Sequence, residues 1–327
     1  MGRHDRRGSN RFVVAATVAA AVAVLLLAGI AFAAWNLLAR QKQAPPAKAS
    51  APLVSPSKNA ATQSPVAERP AARPIPVSHP ATDQVVPVLM YHHVLPNPSN
   101  SIAISPETFD RQMKWLHDNG YHAVSMTQLI DFVQTGRRLP DKPVLLTFDD
   151  DRANQLKNAV PILKKYGFTA TFFVTKKWIV GSSKYFMHES DLKKLADEGY
   201  DVESHTNSHT FLVAKSEDYA HMKQRLWGET DGMRVWLSDV TGKPVTALAY
   251  PGGGVDKLSP RLAKEAGYAV AFTVDTGYVR YGAGDPELLP RWNAGARGLS
   301  FGSFVAIFKR AEAESRPKSS KDATRAQ

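Results

Sequence analysis

Apolar and polar positions divide the 327-residue chain into blocks of different character. From Phe12 to Ala39 the chain runs 28 residues without a charge, which is long enough to cross a bilayer as a helix. Residues 40–84 are rich in Ala and Pro and poor in large apolar side chains, which predicts a disordered linker. Short apolar runs then alternate with amphipathic stretches, which predicts a folded domain over 85–311. The polar residues 312–327 predict a disordered tail.

The uncharged run has the features of a membrane anchor. Residues 1–11 contain four arginines, and arginine on this side of a span favours a cytoplasmic N-terminus. We therefore expect a basic cytoplasmic tail, a single transmembrane helix over 12–39 in the cytoplasmic membrane, and a domain in the periplasm or outside the cell. The small residues in Ala31-Phe32-Ala33-Ala34 have a suitable spacing for cleavage and leave a cleaved signal peptide open as the alternative. We favour the retained anchor because a typical signal-peptide core is shorter than this run.

Within the domain, one local order recurs four times: a helix, a glycine, an aromatic residue and a strand. It appears at Gly120, Gly167, Gly199 and Gly267, where glycine suits the left-handed position after a helix. The alternation of strands and helices predicts a parallel α/β sheet, either a (β/α) barrel of about seven or eight units or a doubly wound open sheet. The predicted strands are 85–93, 144–148, 170–174, 201–203, 246–250 and 269–274, and the predicted helices include one opening at Pro106 and those over 155–166, 191–198, 218–240 and 260–266.

Composition narrows the kinds of site and partner. The chain has no cysteine, so disulfides and thiolate metal sites are excluded and any metal must be held by His, Asp or Glu. The net charge of +11 resembles that of a nucleic-acid-binding protein. Residues 1–86, however, carry ten Lys and Arg against three Asp and Glu, and residues 309–327 carry six against three. The part between them is close to neutral, so we expect no nucleic-acid partner.

A strand that ends in three acids is the first candidate site. Val144 to Phe148 is apolar, and Asp149, Asp150 and Asp151 follow directly. In parallel α/β folds, chemistry collects where strands end at their carboxyl edge. Neighbouring carboxylates repel each other unless something positive binds, which favours a metal ion. The alternative is that Asp150 and Asp151 only cap the next helix.

A second polar cluster follows another predicted strand, over residues 203–209. His205 and His209 are four residues apart, a spacing that places both imidazoles on one side of a helical turn. Two histidines and one carboxylate form a common catalytic metal set that leaves positions open for water and substrate. Two unrelated surface histidines would give the same local pattern, so the argument depends on the Asp cluster as well.

Three motifs in this order resemble those of the polysaccharide deacetylases, which are carbohydrate esterase family 4 or NodB-like domains. They are Thr147-Phe148-Asp149-Asp150, His205-Thr206-Asn207-Ser208-His209 and Ala249-Tyr250-Pro251-Gly252-Gly253. The resemblance covers about residues 85–305 and implies a distorted seven-stranded NodB-like barrel. Residues 89–92 and 289–291 further resemble the branch that contains the poly-N-acetylglucosamine deacetylases of biofilm export.

The resemblance implies roles for the matching polar residues. Asp150, His205 and His209 would hold a divalent metal that polarises the acetamide carbonyl and a water molecule. Asp149 would be the general base that takes a proton from the attacking water. Two imidazoles and one carboxylate suit zinc, cobalt, nickel or iron, and zinc is our first expectation.

The third motif would contact the substrate and the oxyanion. A backbone N–H at about Gly252, in the run Tyr250-Pro251-Gly252, would donate to the oxyanion. Glycines over 252–254 would let the backbone approach closely. An ordinary turn after Pro251 is the structural alternative.

A general acid must protonate the leaving amine. Many family members place a histidine near the end of the domain, but no histidine follows His221 here. The biofilm branch resembles a rearranged order with the acid on the first strand, which points to His92 or His93. We choose His92, because it shares a strand face with Val88 and Met90 whereas His93 points the other way.

Two residues depart from the family pattern. Asp151 stands where many members have glycine, and Ala249 stands where many have an arginine that orients the base. Arg291 could take that role by approaching Asp149, with Asp275 supporting it. A surface salt bridge for Arg291 and a turn cap for Asp275 are the structural alternatives.

These features predict a membrane-anchored, metal-dependent amidohydrolase that removes acetyl groups from N-acetylhexosamine units of an extracytoplasmic polysaccharide. The branch resemblance favours poly-β-1,6-N-acetylglucosamine, with peptidoglycan and chitin-type oligomers as runners-up. The expected partners are the N-acetylated polysaccharide, the membrane, and the machinery of exopolysaccharide synthesis or export. A catalytically weak carbohydrate-binding protein and another barrel metalloenzyme, such as a sugar isomerase or aldolase, are the alternatives.

Overall fold

The computed structural model describes residues 81–181 and 183–315. The predicted cytoplasmic tail, the predicted anchor, nearly all of the predicted linker and residues 316–327 lie outside this part of the chain. None of the helices within 81–181 and 183–315 combines the length and apolar character that crossing a bilayer requires.

Strands and helices alternate through the described residues. The strands are β1 (Val86–Tyr91), β2 (His93–Val94), β3 (Ala103–Ile104), β4 (His122–Ala123), β5 (Pro143–Phe148), β6 (Thr171–Val174), β7 (Asp201–Ser204), β8 (Ala247–Ala249), β9 (Val270–Phe272), β10 (Tyr278–Val279) and β11 (Trp292–Asn293). The α-helices are α1 (Pro106–Asp118), α2 (Met126–Thr135), α3 (Val160–Tyr166), α4 (Lys176–Val180), α5 (Glu189–Asp197), α6 (Tyr219–Thr241), α7 (Ser259–Glu265) and α8 (Phe301–Ser315).

Most of the strands form one curled sheet. Its hydrogen-bonded order is β10-β1-β5-β6-β7-β8-β9, with β10 antiparallel to β1 and the other neighbours parallel. One later segment contacts the last strand of this order and also β1 near its other end, because Leu289 bridges Phe272 of β9 and Trp292 of β11 pairs with Leu89 of β1. The sheet is a curled half-barrel, so the predicted parallel α/β sheet is confirmed, whereas a complete (β/α) barrel is not.

Both faces of the sheet are buried, which explains why its strands are continuous apolar runs in the sequence. Val88 and Leu145 point to the face that packs with the apolar side of α2. Their neighbours Leu89 and Leu146 point to the opposite face, which packs against the other helices. The strand ends are therefore held rigidly from both sides, and side chains that follow them are well placed for a site.

The recurring glycines adopt the conformation that the sequence pattern predicts. The φ angles of Gly120, Gly167, Gly199 and Gly267 are +71°, +69°, +87° and +93°. This left-handed region is strained for residues with a Cβ, so glycine lets the chain leave each helix and turn directly into the next strand.

The helix predicted over 155–166 is divided. Gln155–Ala159 is a π-helix, and the α-helix begins only after it. Pro161 has no N–H to donate, which interrupts the regular series of helical hydrogen bonds at this point. The Gln155 side chain donates to the carbonyls of His92 and Asp149, both at 2.7 Å. The irregular turn thus ties the start of the helix to the strand ends.

Helix α8 continues to Ser315, past the boundary at residue 311 that composition predicts. Glu312 in this last turn accepts a hydrogen bond from Tyr121 at 2.9 Å and lies 3.1 Å from Lys142 Nζ. Both partners are far away along the sequence, so the polar composition of the last turn does not reveal where the helix ends.

Candidate functional site

The carboxyl ends of the strands bring the candidate residues together. β5 leads directly into Asp149 and Asp150, β7 leads into His205, and β1 ends one residue before His92. Arg291 lies in the segment that approaches β1 and β9, 142 residues from Asp149 along the chain. Because neighbouring parallel strands end at the same edge of a sheet, these segments converge.

Asp149 and Arg291 form a buried bidentate ion pair. Arg291 Nη1 and Nη2 donate to Asp149 Oδ1 and Oδ2 at 2.8 and 2.7 Å, and both side chains are almost inaccessible to solvent. Arg291 also donates to the Thr273 carbonyl at 3.0 Å and to Thr147 Oγ1 at 3.2 Å. Burial would raise the pKa of Asp149, but the charge and hydrogen bonds of Arg291, together with the neighbouring imidazoles, outweigh burial and lower that pKa. Asp149 is therefore held ionised, and the alternative of a surface salt bridge is wrong.

Asp150, His205 and His209 form a second group next to this pair, with ligand atoms that all lie within 4.8 Å of one another. Asp150 Oδ1 is 3.6 Å from His205 Nε2 and 3.3 Å from His209 Nε2. His205 Nδ1 lies 2.8 Å from the Ala249 carbonyl. That carbonyl can only accept, so Nδ1 carries the proton and Nε2 presents a lone pair toward Asp150.

The protonation states of this group suit a divalent cation. Burial lowers the pKa of His205, which keeps its imidazole neutral. Burial would raise the pKa of Asp150, but the hydrogen bond with His209 and the nearby positive charge of Arg152 are among the interactions that lower it well below its usual range. One carboxylate and two imidazoles with converging atoms are a donor set of catalytic metal sites. The residues present thus fit a divalent metal ion.

His205 and His209 do not meet through the helical turn that their spacing predicts. Residues 205–210 form an irregular bend, in which His209 has a φ of 60°. Glu229 of α6 holds this bend, because its carboxylate accepts hydrogen bonds from the N–H and the hydroxyl of Ser208, both at 2.7 Å. The expectation of a helical turn is wrong, since contacts with α6 rather than local spacing shape the loop.

His92 and His93 have different surroundings. Within the described part of the chain, His92 Nδ1 is buried and has no hydrogen-bond partner. Burial lowers the pKa of His92, and the charges of Asp149 and Asp150 oppose that shift. His93 Nδ1, by contrast, lies 3.2 Å from the side-chain nitrogen of Asn154. Of the two rings, His92 is therefore the one with a buried nitrogen left for another partner near the carboxylates.

Asp275 contacts Arg291 through its backbone. The Asp275 carbonyl accepts a hydrogen bond from the Arg291 N–H at 2.8 Å, whereas the Asp275 side chain is exposed. The described hydrogen bonds of the Arg291 guanidinium go to Asp149, Thr147 and Thr273, and none goes to the Asp275 carboxylate. Asp275 therefore contacts Arg291 as expected, but it does so through its backbone carbonyl and not through its carboxylate.

Tyr250, Pro251 and Gly252 begin the chain segment after β8, where residues 251–253 form a 3-10 turn. Gly252 has a φ of +55°, in the region that favours glycine. The N–H groups of Gly253 and Gly254 donate to the carbonyls of Tyr250 and Pro251. The first N–H groups of such a turn take no part in its own hydrogen bonds, and Pro251 has none. The Gly252 N–H is therefore the donor that this turn does not use.

The Tyr250 side chain has a different environment from its backbone. It is completely buried, and its hydroxyl has no hydrogen-bond partner among residues 81–181 and 183–315. Burial raises the pKa of Tyr250, and the charges of Glu287 and Asp285 raise it further. The phenol therefore lies near two carboxylates that are not part of the groups described above, and its contribution to the site is packing under the turn.

Asp151 connects two strand ends. It is fully buried with a φ of +39°, and its Oδ1 accepts a hydrogen bond from the Thr175 N–H at 3.0 Å. Burial raises the pKa of Asp151 to about 8. The next helix has Asn154 at its N-cap, so Asp151 does not cap it. Its side chain instead connects the loop after β5 to Thr175, the residue that follows β6.

Two residues that contact the candidate metal group were not identified from sequence. The Trp178 ring lies against His209, with 4.8 Å between ring centroids. Arg152 Nη2 is 3.5 Å from Asp150 Oδ2, and its guanidinium lies 4.5 Å over the ring of Phe186. Arg152 directly follows the three acids in the sequence, so its contact with one of them could have been predicted from the charge pattern. Nothing in the local sequence marks Trp178, because its contact depends on how the segment after β6 folds back.

Comparisons with known proteins agree with this arrangement. Residues 136–271 match the family model described as polysaccharide deacetylase. A Bacillus subtilis protein named as a polysaccharide deacetylase is 29% identical over 225 residues, which cover 68% of this chain and 77% of that protein. The poly-beta-1,6-N-acetyl-D-glucosamine N-deacetylase of Staphylococcus epidermidis is 27% identical over 179 residues. This second match covers 53% of this chain and 61% of the relative, which is less than two thirds of its length.

The fold gives the same result. A crystal structure of a polysaccharide deacetylase from Bacillus cereus superposes with a TM-score of 0.59 at 29% identity and covers 69% of each chain. The matched region of the family model contains Asp149, Asp150, His205 and His209, the residues that converge at the strand ends. The chain therefore carries a polysaccharide deacetylase domain of the NodB-like kind, and it is a hydrolase that acts on carbon–nitrogen bonds other than peptide bonds.

Proposed function

We propose that the chain is a metal-dependent N-deacetylase that removes acetyl groups from N-acetylhexosamine units of an extracytoplasmic polysaccharide. The observation that carries this proposal is an ionised carboxylate, Asp149, held by Arg291 beside a converging carboxylate and two imidazoles. The first group can accept a proton and the second can hold a cation. Metal-assisted hydrolysis of an unactivated amide uses both functions close together.

The metal would be held by Asp150 Oδ1, His205 Nε2 and His209 Nε2. When bound, it supplies a Lewis acid for the amide carbonyl and for water. Zinc is the first candidate, and cobalt, nickel or iron suit the same donor set. The hydrogen bond from His205 to the Ala249 carbonyl would hold the His205 ring in the tautomer that this role needs.

The proton transfers fall to residues of the chain itself. Asp149 accepts a proton from the attacking water, and Arg291 fixes the carboxylate while leaving each oxygen a second lone pair. The Gly252 N–H donates to the oxygen that becomes negative. His92 gives a proton to the leaving amine, and its lowered pKa makes its charged form a stronger acid.

The substrate proposal rests on relatives. A protein that is 27% identical over 179 residues is named for poly-beta-1,6-N-acetyl-D-glucosamine, and residues 89–92 and 289–291 of this chain resemble the same branch. We therefore place β-1,6-linked N-acetylglucosamine first and peptidoglycan and chitin-type oligomers second. An enzyme acting on such a polymer would work next to the exopolysaccharide synthesis or export machinery.

The experiment is product analysis on a panel of acetylated glycans. The purified domain is incubated with β-1,6-linked and β-1,4-linked N-acetylglucosamine pentamers and with a peptidoglycan fragment, and released acetate is measured. We expect acetate from the β-1,6 pentamer, loss of the reaction after chelation, and recovery after zinc is added. Binding of a pentamer without release of acetate would replace this proposal by a carbohydrate-binding function.

A further inference from the structure

We propose that Phe211 is a platform on which a pyranose ring of the glycan stacks, next to the sugar unit that is deacetylated. The inference rests on the proposed function, because it names how the same site would recognise a polymer rather than a single acetylated amine. It comes from the position of one exposed aromatic ring on a run of glycines, Gly252 to Gly254.

The Phe211 ring contacts this glycine run with one face near Cγ and with its Cε1–Cζ edge. An ideal Cβ built on Gly254 would be 2.6 Å from Phe211 Cγ and 3.0 Å from both Cδ1 and Cδ2. A point in the ring plane beyond Cγ would be clearly farther from the two Cδ atoms, so the Cβ position lies over the face of the ring. A Cβ on Gly252 would be 3.1 Å from Cε1 and 3.2 Å from Cζ, at the other end of the ring. Any side chain at either glycine would therefore displace Phe211.

The other face of the ring is open. The side chain of Phe211 is 53% exposed, although one face is covered by the glycine run. No second aromatic ring or cation stacks on it within the described residues. Single exposed apolar side chains are common on protein surfaces, so the argument depends on the glycine contacts and on the neighbouring site rather than on exposure alone. The glycines thus hold a flat apolar surface in a fixed orientation toward solvent.

The position of this surface selects a sugar as its occupant. Phe211 follows the candidate metal ligand His209 by two residues, and its covered face lies on the turn that offers the Gly252 N–H. The ring thus lies between the segment that would carry a metal ligand and the segment that would carry the oxyanion donor, a position that suits the sugar unit adjoining the reacting one. Pyranose rings have a face of C–H groups, which carry partial positive charge and match the negative face of an aromatic ring. Phenylalanine has no polar atom, so the platform would hold a ring without selecting its hydroxyl pattern.

The test compares a polymer with a small substrate. Phe211→Ala, Phe211→Tyr and a control, Val235→Ala, are assayed with a β-1,6-linked N-acetylglucosamine pentamer and with 4-nitrophenyl acetate, which contains no sugar. Val235 is an exposed apolar residue on α6. We expect Phe211→Ala to raise KM for the pentamer by about tenfold, with a much smaller change in kcat and in ester hydrolysis. Phe211→Tyr, which keeps the ring, and Val235→Ala should stay close to the unaltered protein.

Binding is measured separately in an Asp149→Asn background, so that recognition does not depend on turnover. Weaker pentamer binding by the Asp149→Asn, Phe211→Ala double variant, with Asp149→Asn alone unaffected, supports the platform even if no acetate is ever released. Unchanged pentamer KM and binding in Phe211→Ala would overturn it. An equal loss on pentamer and ester would overturn it as well, because the ring would then only hold the glycine turn in place. Absence of pentamer binding by any variant would remove the sugar as the occupant.

Discussion

At the scale of single residues, the most informative contact is the buried pair of Asp149 and Arg291. Burying two charges costs free energy that only good geometry and further hydrogen bonds offset. Here both Arg291 Nη atoms donate to the carboxylate, and two further oxygens accept from the same guanidinium. The pair keeps a carboxylate ionised in a buried place where an isolated one would tend to be neutral. The ion pair therefore provides an ionised carboxylate, which can act as a base, beside the candidate metal group.

Replacing Asp149 by asparagine should separate proton transfer from metal binding. Asp149→Asn should retain the metal, because Asp150, His205 and His209 are unchanged. Turnover of an acetamide sugar should fall by roughly 10²–10⁴-fold, as expected for the loss of a positioned general base. Metal content and initial rates give the measurement, and a thermal melt checks that the uncompensated Arg291 does not unfold the protein at the assay temperature.

A matched carboxylate variant controls for this experiment. Asp197→Asn changes an exposed acid on α5 and should leave both metal content and rate unchanged. If Asp149→Asn loses metal as well as activity, Asp149 is a ligand rather than a base. If its rate stays within a few fold of the unaltered protein, the base lies elsewhere.

His92 and His93 should differ in how they affect two kinds of substrate. His92→Ala should keep its metal and should slow an acetamide more than a matched acetate ester, because an alcohol leaves without the proton that an amine needs. His93→Ala should have a mild effect on both, since its ring contacts Asn154 instead. Turnover of the two substrates by both variants gives the answer. A severe defect in His93→Ala with near-normal His92→Ala would reverse the choice of acid.

At the scale of elements, the candidate metal group depends on two strands whose ends meet. β5 supplies Asp150, and β7 with the loop after it supplies His205 and His209. His205→Ala, His209→Ala and Asp150→Ala should each abolish metal binding and activity while the domain stays folded, because the strand cores are untouched. Metal content of each purified variant is the measurement.

The control for the ligand variants is His221→Ala, which removes an exposed histidine on α6 and should keep the normal metal content. Normal stoichiometry in all three ligand variants would show that the metal is held by other residues. Loss of metal in His221→Ala as well would mean that the assay detects adventitious binding.

Strand β7 also carries a buried acid that should make folding sensitive to pH. The Glu203 carboxylate accepts hydrogen bonds from the N–H groups of Thr246 and Ala247 at 2.8 Å. Burial raises the pKa of Glu203 to about 8, from an ordinary value near 4.5. Between these values the folded state keeps a proton that the unfolded state has released. The contribution of Glu203 to the free energy of unfolding should therefore fall as the pH rises from about 5 to 8, by at most about 1.4 kcal/mol per unit.

Glu203→Gln tests this dependence. Glutamine keeps an oxygen for the two N–H donors but does not ionise, so its free energy of unfolding should fall less between pH 5 and 8 than that of the unaltered protein. Urea unfolding at several pH values provides the comparison. Glu189→Gln, at the exposed start of α5, should keep the original slope. Parallel curves for Glu203→Gln and the unaltered protein would contradict the assignment.

At the scale of the whole molecule, the remaining prediction concerns where the domain is held. The uncharged run from Phe12 to Ala39 predicts that the full chain fractionates with membranes. Among the described residues, the domain contacts begin at Ala81, whose N–H donates to the Gly136 carbonyl, and the last helix ends at Ser315. Residues 81–315 on their own should therefore be the part that stays in the supernatant. Fractionation and N-terminal sequencing of the mature protein test this. A mature start just after Ala33 or Ala34 would mean a cleaved signal peptide.

The sequence by itself determined the order of the elements and the main polar motifs. Glycine at a left-handed position, an aromatic residue and an apolar run are adjacent along the chain, so Gly167 and β6 could be predicted without knowing the fold. The same holds for Asp150, His205 and His209, because each directly follows or closely follows a strand. These signals can be found in the sequence because each one depends on the backbone preferences and apolar character of residues that are adjacent along the chain.

Only the tertiary structure decided which distant residues touch and in what geometry. Arg291 reaches Asp149 across 142 positions because the segment after β9 returns to β1. The loop that carries His209 is shaped by the hydrogen bonds of Ser208 to Glu229 and is not a helical turn. Phe211 contacts glycines that lie 41 and 43 positions further along the chain. Each contact depends on how the sheet curls and which loops then meet. That is fixed by packing over the whole domain, and no stretch of sequence encodes it alone.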